Sequence, residues 1–235
     1  MSSRRPLALA FDLDNTLWDI EPVMARAEQA LHAWLARHYP RVTERHSIDS
    51  MRAHRVDVGR RRPELSHDYT ALRKIALLEH AEEAGYSAAM AEEAFEHFYH
   101  ERNQVDLFDD VLPALERLRG DYRLLALTNG NADLKRIGID HYFELILTAR
   151  AVGHAKPDAR IFSALLAGAA LAPGDLLHVG DEPLADVEGP RGAGIDAVWI
   201  NRCGQEWPAQ LAPPSHTVST LHELADWLLA GTGVG

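Results

Sequence analysis

Residues 7–17 read LALAFDLDNTL, an apolar run that ends in two acids and a hydroxyl. The run at 7–11 has the length and composition of a fully buried β-strand. Residues two apart in an extended chain point to the same side, so Asp12 and Asp14 would face one spot while Leu13 faces away. Ionised carboxylates beside a core are costly unless they are paired, hydrogen-bonded or bound to a metal. The pair indicates a nucleophile, an acid/base group or a cation site, with two solvated turn acids as the alternative.

The overall composition excludes several classes of protein. With 235 residues, 46% hydrophobic and 25% charged, the chain suits one large globular domain or a core with an inserted subdomain. Its net charge of -11 argues against nucleic acid or an anionic membrane as a partner. The single cysteine, Cys203, excludes an intramolecular disulfide and fits a reducing compartment, and no apolar run is long enough to span a membrane. We therefore expect a cytoplasmic location.

Residues 18–107 differ from the rest, because apolar residues recur there with helical spacing and nothing reads as a strand. Helices are predicted at 21–39, 67–84 and 87–103. Ser87 is the predicted N-cap of the last of them. We therefore predict an all-helical cap of about four helices over 18–107, inserted between the two parts of a core at 1–17 and 108–235.

The core alternates short apolar runs with helical stretches. Strands are predicted at 123–128, 144–149, 175–180 and 196–201. Helices are predicted at 132–137, 158–170, 183–193 and 220–229. Such alternation predicts the α/β class, with a parallel sheet and helices on both faces. Ligands bind such sheets beyond the carboxyl ends of the strands, where chemical groups should therefore be sought.

Two of these places suit the binding of phosphate oxygens. Thr128 and Asn129 end a strand and precede Gly130, which lets backbone N–H groups approach; an ordinary Asn-Gly turn is the alternative. Lys156 is held just outside a helix by Pro157, and a surface lysine is the alternative there.

Acids follow the strand at 175–180. Asp181 and Glu182 come directly after it, and Asp186 would lie in the first helical turn and lean back toward the strand end. Loop acids, or an acid that compensates the helix dipole, are the alternatives. If the strands are neighbours, six side chains converge on one rim: Asp12, Asp14, Thr128, Lys156, Asp181 and Asp186.

This constellation resembles the haloacid-dehalogenase-like (HAD) hydrolase superfamily. Its four motifs match as Asp12 to Thr16, Thr128-Asn129, Lys156, and Gly180-Asp181 with Asp186. The resemblance covers nearly the whole chain, and it implies a Rossmannoid core with an inserted helical (C1) cap between motifs one and two.

The resemblance also implies a mechanism. Asp12 would attack a phosphate monoester and form an aspartyl-phosphate. Asp14 would protonate the leaving alcohol and later activate water. A Mg2+ ion held by Asp12, the backbone carbonyl of Asp14 and Asp181 would offset the charge repulsion.

The remaining motif residues would support this step. Thr128, Asn129 and Lys156 would hold the phosphoryl oxygens. Asp186 would orient Lys156 or a water molecule on the ion. The implied partner is a small phosphorylated metabolite, and the chain would act as a monomer or a homodimer.

Within the superfamily, Asp14 favours a phosphatase, because the dehalogenases lack the second acid of motif one. A sugar phosphomutase shares all four motifs and stays open, as do phosphatases of sugar phosphates, phosphoglycolate or nucleotides. A catalytically silent module that binds a phosphorylated metabolite or a protein is a further alternative. A response-regulator-like phosphoacceptor is disfavoured by the order of the motifs along the chain.

A narrower resemblance is to the YigB-type phosphatases of FMN and of a phosphorylated ribitylamino-uracil intermediate of riboflavin synthesis. It rests on FDLDNTLWD at 11–19, TNGNA at 128–132 and HVGD at 178–181. The chain departs from those enzymes at Asn15, Trp18 and Glu182, which leaves the catalytic groups intact and the substrate open.

Two further features are candidate substrate contacts. Trp18 could stack on a flat ring of the substrate, or it is a core residue at the hinge between core and cap. The basic run Arg60 to Arg62 could meet an anionic substrate, or it is a solvated loop between cap helices.

Overall fold

A computed structural model describes residues 5–230, so the C-terminal tail at 231–235, predicted to be frayed, lies outside the described residues. The chain divides into two compact units. The core unit holds the residues up to Asp19, Asp106–Gly130 and the residues from Gly138 onward. The cap unit holds Ile20–Val105 and Asn131–Ile137.

The core unit is built on a parallel sheet, which confirms the predicted α/β class. Its strands are β1 (Ala8–Phe11), β2 (Arg123–Thr128), β3 (Leu145–Thr148), β4 (Leu176–Gly180), β5 (Asp196–Ile200) and β6 (Thr217–Val218). Their order across the sheet is β3-β2-β1-β4-β5-β6, and neighbouring strands are parallel. Every residue of β1 is buried, as its continuous apolar run predicts. β6 was not predicted, because two residues carry no periodicity.

Helices account for most of the remaining structure. In chain order they are α1 (Ile20–His38), α2 (Pro40–Thr43), α3 (Ile48–Arg61), α4 (Tyr69–Glu83), α5 (Ala89–Arg102), α6 (Val111–Leu118), α7 (Leu134–Ile137), α8 (Ala149–Val152), α9 (Ala159–Ala169), α10 (Gly189–Gly192) and α11 (Leu221–Ala230). None of the helices within residues 5–230 has the length and apolar character needed to cross a membrane. α6 was not predicted, although its buried residues follow helical spacing.

Two local predictions were wrong. Ser87 is not the N-cap of α5, which begins at Ala89 with Ala88 in that position; the Ser87 carbonyl instead accepts the N–H of Met90. The helix predicted at 183–193 begins as a π-helical turn, Pro183–Glu188, and continues as α10. Pro190 explains the break, since it has no N–H to donate to a continuous helical ladder.

The cap unit has its own apolar core. Residues from α1, α4 and α5 supply most of it, at the three- and four-residue spacing that placed these helices in the sequence. Its buried members include Ala27, Leu31, Leu35, Val42, Leu77, Ala81, Met90, Ala94, Phe95 and Phe98. Arg60 and Arg61 lie on the last turn of α3, so the basic run is a helix end and not the loop predicted between helices.

Candidate active site

A tight turn follows β1 and carries the first motif. The N–H of Asp12 donates to the carbonyl of Val179 over 2.9 Å and so extends the pairing with β4. Asn15 has φ of 61°, in the left-handed region that asparagine tolerates better than most residues. This conformation lets the chain reverse, and the N–H groups of Thr16 and Leu17 both donate to the Leu13 carbonyl. Asp12 is thereby fixed at the strand end.

Trp18 holds the second acid of this turn. Its indole Nε1 donates to Asp14 Oδ1 over 2.8 Å, and its ring has no exposed surface. Full burial favours the interpretation of Trp18 as a core residue over stacking on a substrate. The hydrogen bond from Trp18 also limits the orientations open to the Asp14 carboxylate.

Lys156 joins the first and last motifs. Its Nζ lies 2.6 Å from Asp12 Oδ1 and 2.6 Å from Asp186 Oδ1, and the side chain is almost fully buried. Burial alone would lower the pKa of Lys156, but the two carboxylates outweigh it and hold that pKa above its usual range. Lys156 is therefore a fixed positive charge against Asp12.

Asp186 is held from several sides. Besides Lys156, His178 Nε2 lies 2.9 Å from Oδ1, and the Glu182 N–H donates to Oδ2 over 3.1 Å. Burial disfavours its charge, but Lys156 and His178 together bring its pKa below the usual range. A Cβ at Gly180 would lie 2.3 Å from Asp186 Cγ, so only glycine allows this approach.

His178 was quoted within a motif but given no role in the sequence analysis. It is fully buried on β4, and burial lowers its pKa, so the neutral ring can donate its Nε2 proton to Asp186. A histidine in an otherwise apolar strand was the signal that could have marked it.

Asp181 directly follows β4 and is contacted by Thr16 and Trp199. Thr16 Oγ1 is 3.4 Å from its Oδ1, and the indole N–H of Trp199 donates to its carbonyl over 2.7 Å. Burial, followed by the negative charge of Asp186, raises the pKa of Asp181 to about 6. Within residues 5–230, no basic side chain forms an ion pair with this carboxylate as close as the one between Lys156 and Asp12.

Thr128 and Asn129 end the neighbouring strand β2. Thr128 Oγ1 accepts the N–H of Gly130 over 2.9 Å, which leaves its own O–H free to donate to a phosphoryl oxygen. The Asn129 side chain instead forms two hydrogen bonds with the main chain of Lys156. Its Nδ2 donates to the Lys156 carbonyl over 2.9 Å, and its Oδ1 accepts the Lys156 N–H over 2.7 Å. Asn129 thus positions Lys156, where the sequence predicted a phosphate contact for it.

The acids of the core unit fit a hard divalent cation. Asp12, Asp181 and Asp186 each offer an oxygen within 4.8 Å of the others, with one lysine among them. Burial, with the charges of Asp186 and Asp181, raises the pKa of Asp12 well above normal despite Lys156. A cation bound by carboxylate oxygens would remove this strain between like charges. Because Asp186 already accepts three hydrogen bonds, Asp12 and Asp181 are the better ligands.

The chain is similar in sequence to several known proteins. The family model for haloacid dehalogenase-like hydrolases matches residues 7–194. The 5-amino-6-(5-phospho-D-ribitylamino)uracil phosphatase YigB of Escherichia coli (strain K12) is 33% identical over 89% of this chain and 92% of its own length. The N-acylneuraminate-9-phosphatase of Mus musculus is 31% identical over 95% and 94%.

Two solved structures are also similar. One, described as a 2-haloacid dehalogenase from Pseudomonas syringae pv. Tomato DC3000, is 36% identical, has a TM-score of 0.89, and covers 97% of this chain and 100% of its own. A HAD phosphatase from Thermococcus onnurineus is 28% identical, with a TM-score of 0.67 and coverages of 94% and 97%.

The curated relatives named above are phosphatases, which confirms the predicted enzyme class of phosphoric monoester hydrolase. The family model covers more than three quarters of the chain, including the whole of the sheet up to β4. The chain belongs to the haloacid dehalogenase-like hydrolase family.

Proposed function

We propose that the chain is a Mg2+-dependent phosphatase of a small phosphorylated metabolite, acting through an aspartyl-phosphate on Asp12. The observation that carries this proposal is the placement of Lys156 Nζ 2.6 Å from Asp12 Oδ1, among three clustered carboxylates of which Asp12 and Asp186 are buried. A carboxylate so placed has a positive charge beside it to draw in an anionic ester, and a set of hard oxygen ligands around it.

In the first step, a carboxylate oxygen of Asp12 attacks phosphorus and the bond to the alcohol oxygen breaks. Lys156 and the Thr128 hydroxyl hold the phosphoryl oxygens as their negative charge shifts. Asp12, Asp181 and the backbone carbonyl of Asp14 would hold Mg2+, which supplies Lewis-acid stabilisation of that charge.

Asp14 handles the protons in this mechanism. Its carboxyl proton passes to the leaving alcohol, and in the second step the carboxylate takes a proton from the water that attacks phosphorus. The bond between phosphorus and Asp12 then breaks, releasing phosphate and restoring both acids. Trp18 supports this role, because its N–H holds one oxygen of the Asp14 carboxylate at 2.8 Å and so limits the orientations of that acid.

The proposed substrates are FMN and the phosphorylated intermediate of riboflavin synthesis. Support comes from the YigB relative at 33% identity, whose name states the second of these substrates. Another relative of similar identity is named for N-acylneuraminate 9-phosphate, so a screen must include sugar phosphates and nucleotides.

A 2-haloacid dehalogenase is the second candidate function, favoured by the description of the structure that is 36% identical. Asp14 opposes it. Hydrolysis of an alkyl halide releases halide, which needs no proton, whereas a leaving alcohol needs the proton that Asp14 would supply.

The decisive experiment measures hydrolysis of p-nitrophenyl phosphate with and without Mg2+, followed by a screen of phosphorylated metabolites that includes FMN. We expect Mg2+-dependent release of phosphate. No release at any Mg2+ concentration would overturn the proposal and favour a silent module. Halide release from 2-chloropropionate by a chain inactive on phosphate esters would establish the dehalogenase instead.

A further inference from the structure

A second charged cluster lies within the cap unit, around Glu28 of α1. Arg52 donates to Glu28 Oε2 from Nε over 3.0 Å and from Nη2 over 2.6 Å. The Nη2 atoms of Arg55 and Arg73 lie 3.6 and 3.5 Å from Oε1. Three guanidinium groups from α3 and α4 thus share one carboxylate.

This cluster carries more positive than negative charge. Asp49 also contacts Arg52, over 3.6 Å, but its side chain is 91% exposed and hence well screened. Arg73 is buried against the Phe98 ring, at 3.6 Å from its centroid. Burial, and then the charge of Arg55, lowers the pKa of Arg73 to about 9, which leaves it charged at neutral pH. A buried positive charge without full compensation is costly.

A cavity adjoins the cluster. It has a volume of about 30 Å³ and is partly open to solvent. The polar part of its lining is Glu28, Arg52, Arg55, Arg73 and His80. The apolar part is Leu31, Ile48, Met51, Ala76 and Leu77. The excess charge therefore faces a partly open cavity with an apolar wall beside it.

Donors without partners point to what this space would hold. Among the described residues, Arg55 Nε is buried with no hydrogen-bond partner. His80 is 2% exposed, and neither of its ring nitrogens has a partner. Its ring contacts are His46 and His54, at centroid distances of 4.3 and 4.6 Å. Buried polar atoms rarely lack a hydrogen-bond partner, so these atoms indicate that a ligand binds in the cavity.

We propose that this cap cavity binds a small organic anion, with its carboxylate or phosphate group on Arg55, Arg73 and His80 and a short apolar body against Leu31 and Leu77. Such an anion balances the guanidinium charge and accepts the unpaired donors. All of these residues belong to the cap unit, so the site is separate from the acids of the core unit.

A metal cation is the opposing occupant of this region. His46, His80 and Glu83 offer ligand atoms within 4.8 Å of one another. The cavity beside His80 is lined by three guanidinium groups, which oppose a further positive charge. Zn2+ is therefore the counter-probe to the anions.

The test measures dissociation constants by titration calorimetry for butyrate, butylphosphonate and inorganic phosphate. We expect both butyl anions to bind more tightly than phosphate, because of the apolar wall. Arg55→Ala and Arg73→Met should each weaken butyrate binding by roughly tenfold to hundredfold, the factor expected for a hydrogen bond to a charged group. Arg37→Ala is the matched control, since it removes an exposed arginine from α1, the helix that carries Glu28, and should change nothing.

A measurement on the unchanged protein guards against variants that fail to fold. Butyrate should shift the His80 ring signals in NMR spectra and raise the pH at which they titrate, because a nearby anion favours imidazolium. Unmoved His80 signals, or wild-type butyrate affinity in both variants, would overturn the proposal. Zn2+ binding that is lost in His80→Ala, with no anion bound by the wild type, would overturn it in favour of a metal.

Discussion

The charged cluster of the core unit and that of the cap unit are built with opposite signs. In the core, one lysine lies among Asp12, Asp181 and Asp186, and in the cap, Glu28 lies among three arginines. Each cluster therefore has an excess of two formal charges, and each includes at least one buried charged side chain. Such an imbalance indicates which ligand a cluster suits: a divalent cation in the core and an anion in the cap.

The two clusters differ in how firmly they are held. Lys156 contacts both of its carboxylates at 2.6 Å, and Asp186 has a hydrogen-bond donor on each oxygen. In the cap, Arg55 and Arg73 stand 3.6 and 3.5 Å from Glu28, and Arg55 keeps an unpaired donor. Tight contacts suit preorganised chemistry, whereas looser ones leave hydrogen-bonding capacity for a ligand.

The largest expected effect is that of Asp12→Asn. An amide oxygen is a poor nucleophile, so we expect p-nitrophenyl phosphate hydrolysis to fall by about 10⁴-fold or more, with the far-UV circular dichroism unchanged. Arg37→Ala, at an exposed position of α1 in the cap, should keep wild-type activity. Substantial residual turnover in Asp12→Asn would mean that the core cluster does not act through a covalent step.

The second largest effect on activity is expected at Asp14, the other acid of the turn after β1. Asp14→Asn should lower kcat by about 10²- to 10⁴-fold, the range of a lost general acid. In the first step, measured as the burst of released alcohol or phenol, the loss should be greatest for alcohols of high pKa and small for p-nitrophenol, which leaves without a proton. Equal losses for both leaving groups in that first step would contradict the role of Asp14 as general acid.

Removal of the acid at the centre of the cap cluster should affect stability. Glu28→Gln leaves three guanidinium groups facing one another, and we expect a loss of about 3 kcal/mol in the free energy of unfolding, measured in urea. Glu116→Gln, which breaks an exposed pair with Arg119, should cost under about 0.5 kcal/mol. Equal costs would show that the cap cluster is not strained by charge.

Acid should destabilise the cap through His80. Burial lowers the pKa of His80 to about 4, from an ordinary value of 6.5. Between these values the unfolded chain binds more protons, so stability falls as the pH drops from 6.5 to 4, by up to about 3 kcal/mol. His80→Phe should lose less stability over the same window, while exposed His100→Ala should behave like the wild type. An unchanged pH profile in His80→Phe would contradict this.

The smallest effect expected is that of Trp18→Phe, which keeps the buried ring and removes the donor to Asp14. We expect kcat to fall by about tenfold, with little change in KM, because one hydrogen bond that orients the acid is lost. A raised KM for FMN with unchanged kcat would instead support ring stacking on the substrate.

The core site could be read largely from the sequence, whereas the cap site could not. The carboxyl ends of parallel neighbours meet at one edge, so acids after β1 and β4 had to approach each other once the strands were placed. Glu28, Arg55 and Arg73 come from three helices, and helical periodicity does not state which turns of separate helices face one another. Their meeting depends on packing alone.

Smaller differences have similar causes. Asn129 was predicted to bind phosphate, which stays a prediction; the hydrogen bonds of its amide to the N–H and C=O of Lys156 are a tertiary contact that no local pattern reveals. The π-helical turn Pro183–Glu188 carries Asp186, which contacts Lys156. In a sequence of six residues, the periodicity of a π-helix cannot be distinguished from that of an α-helix.

Gly180 illustrates how a position without a functional group can govern activity. A methyl group there would overlap the carboxylate of Asp186, push it away from Lys156 and release the ammonium from its alignment with the nucleophile. Saturation mutagenesis of this codon should therefore yield only inactive clones. For protein engineers, the empty volume beside Asp186 is as fixed a requirement as any of the charged side chains.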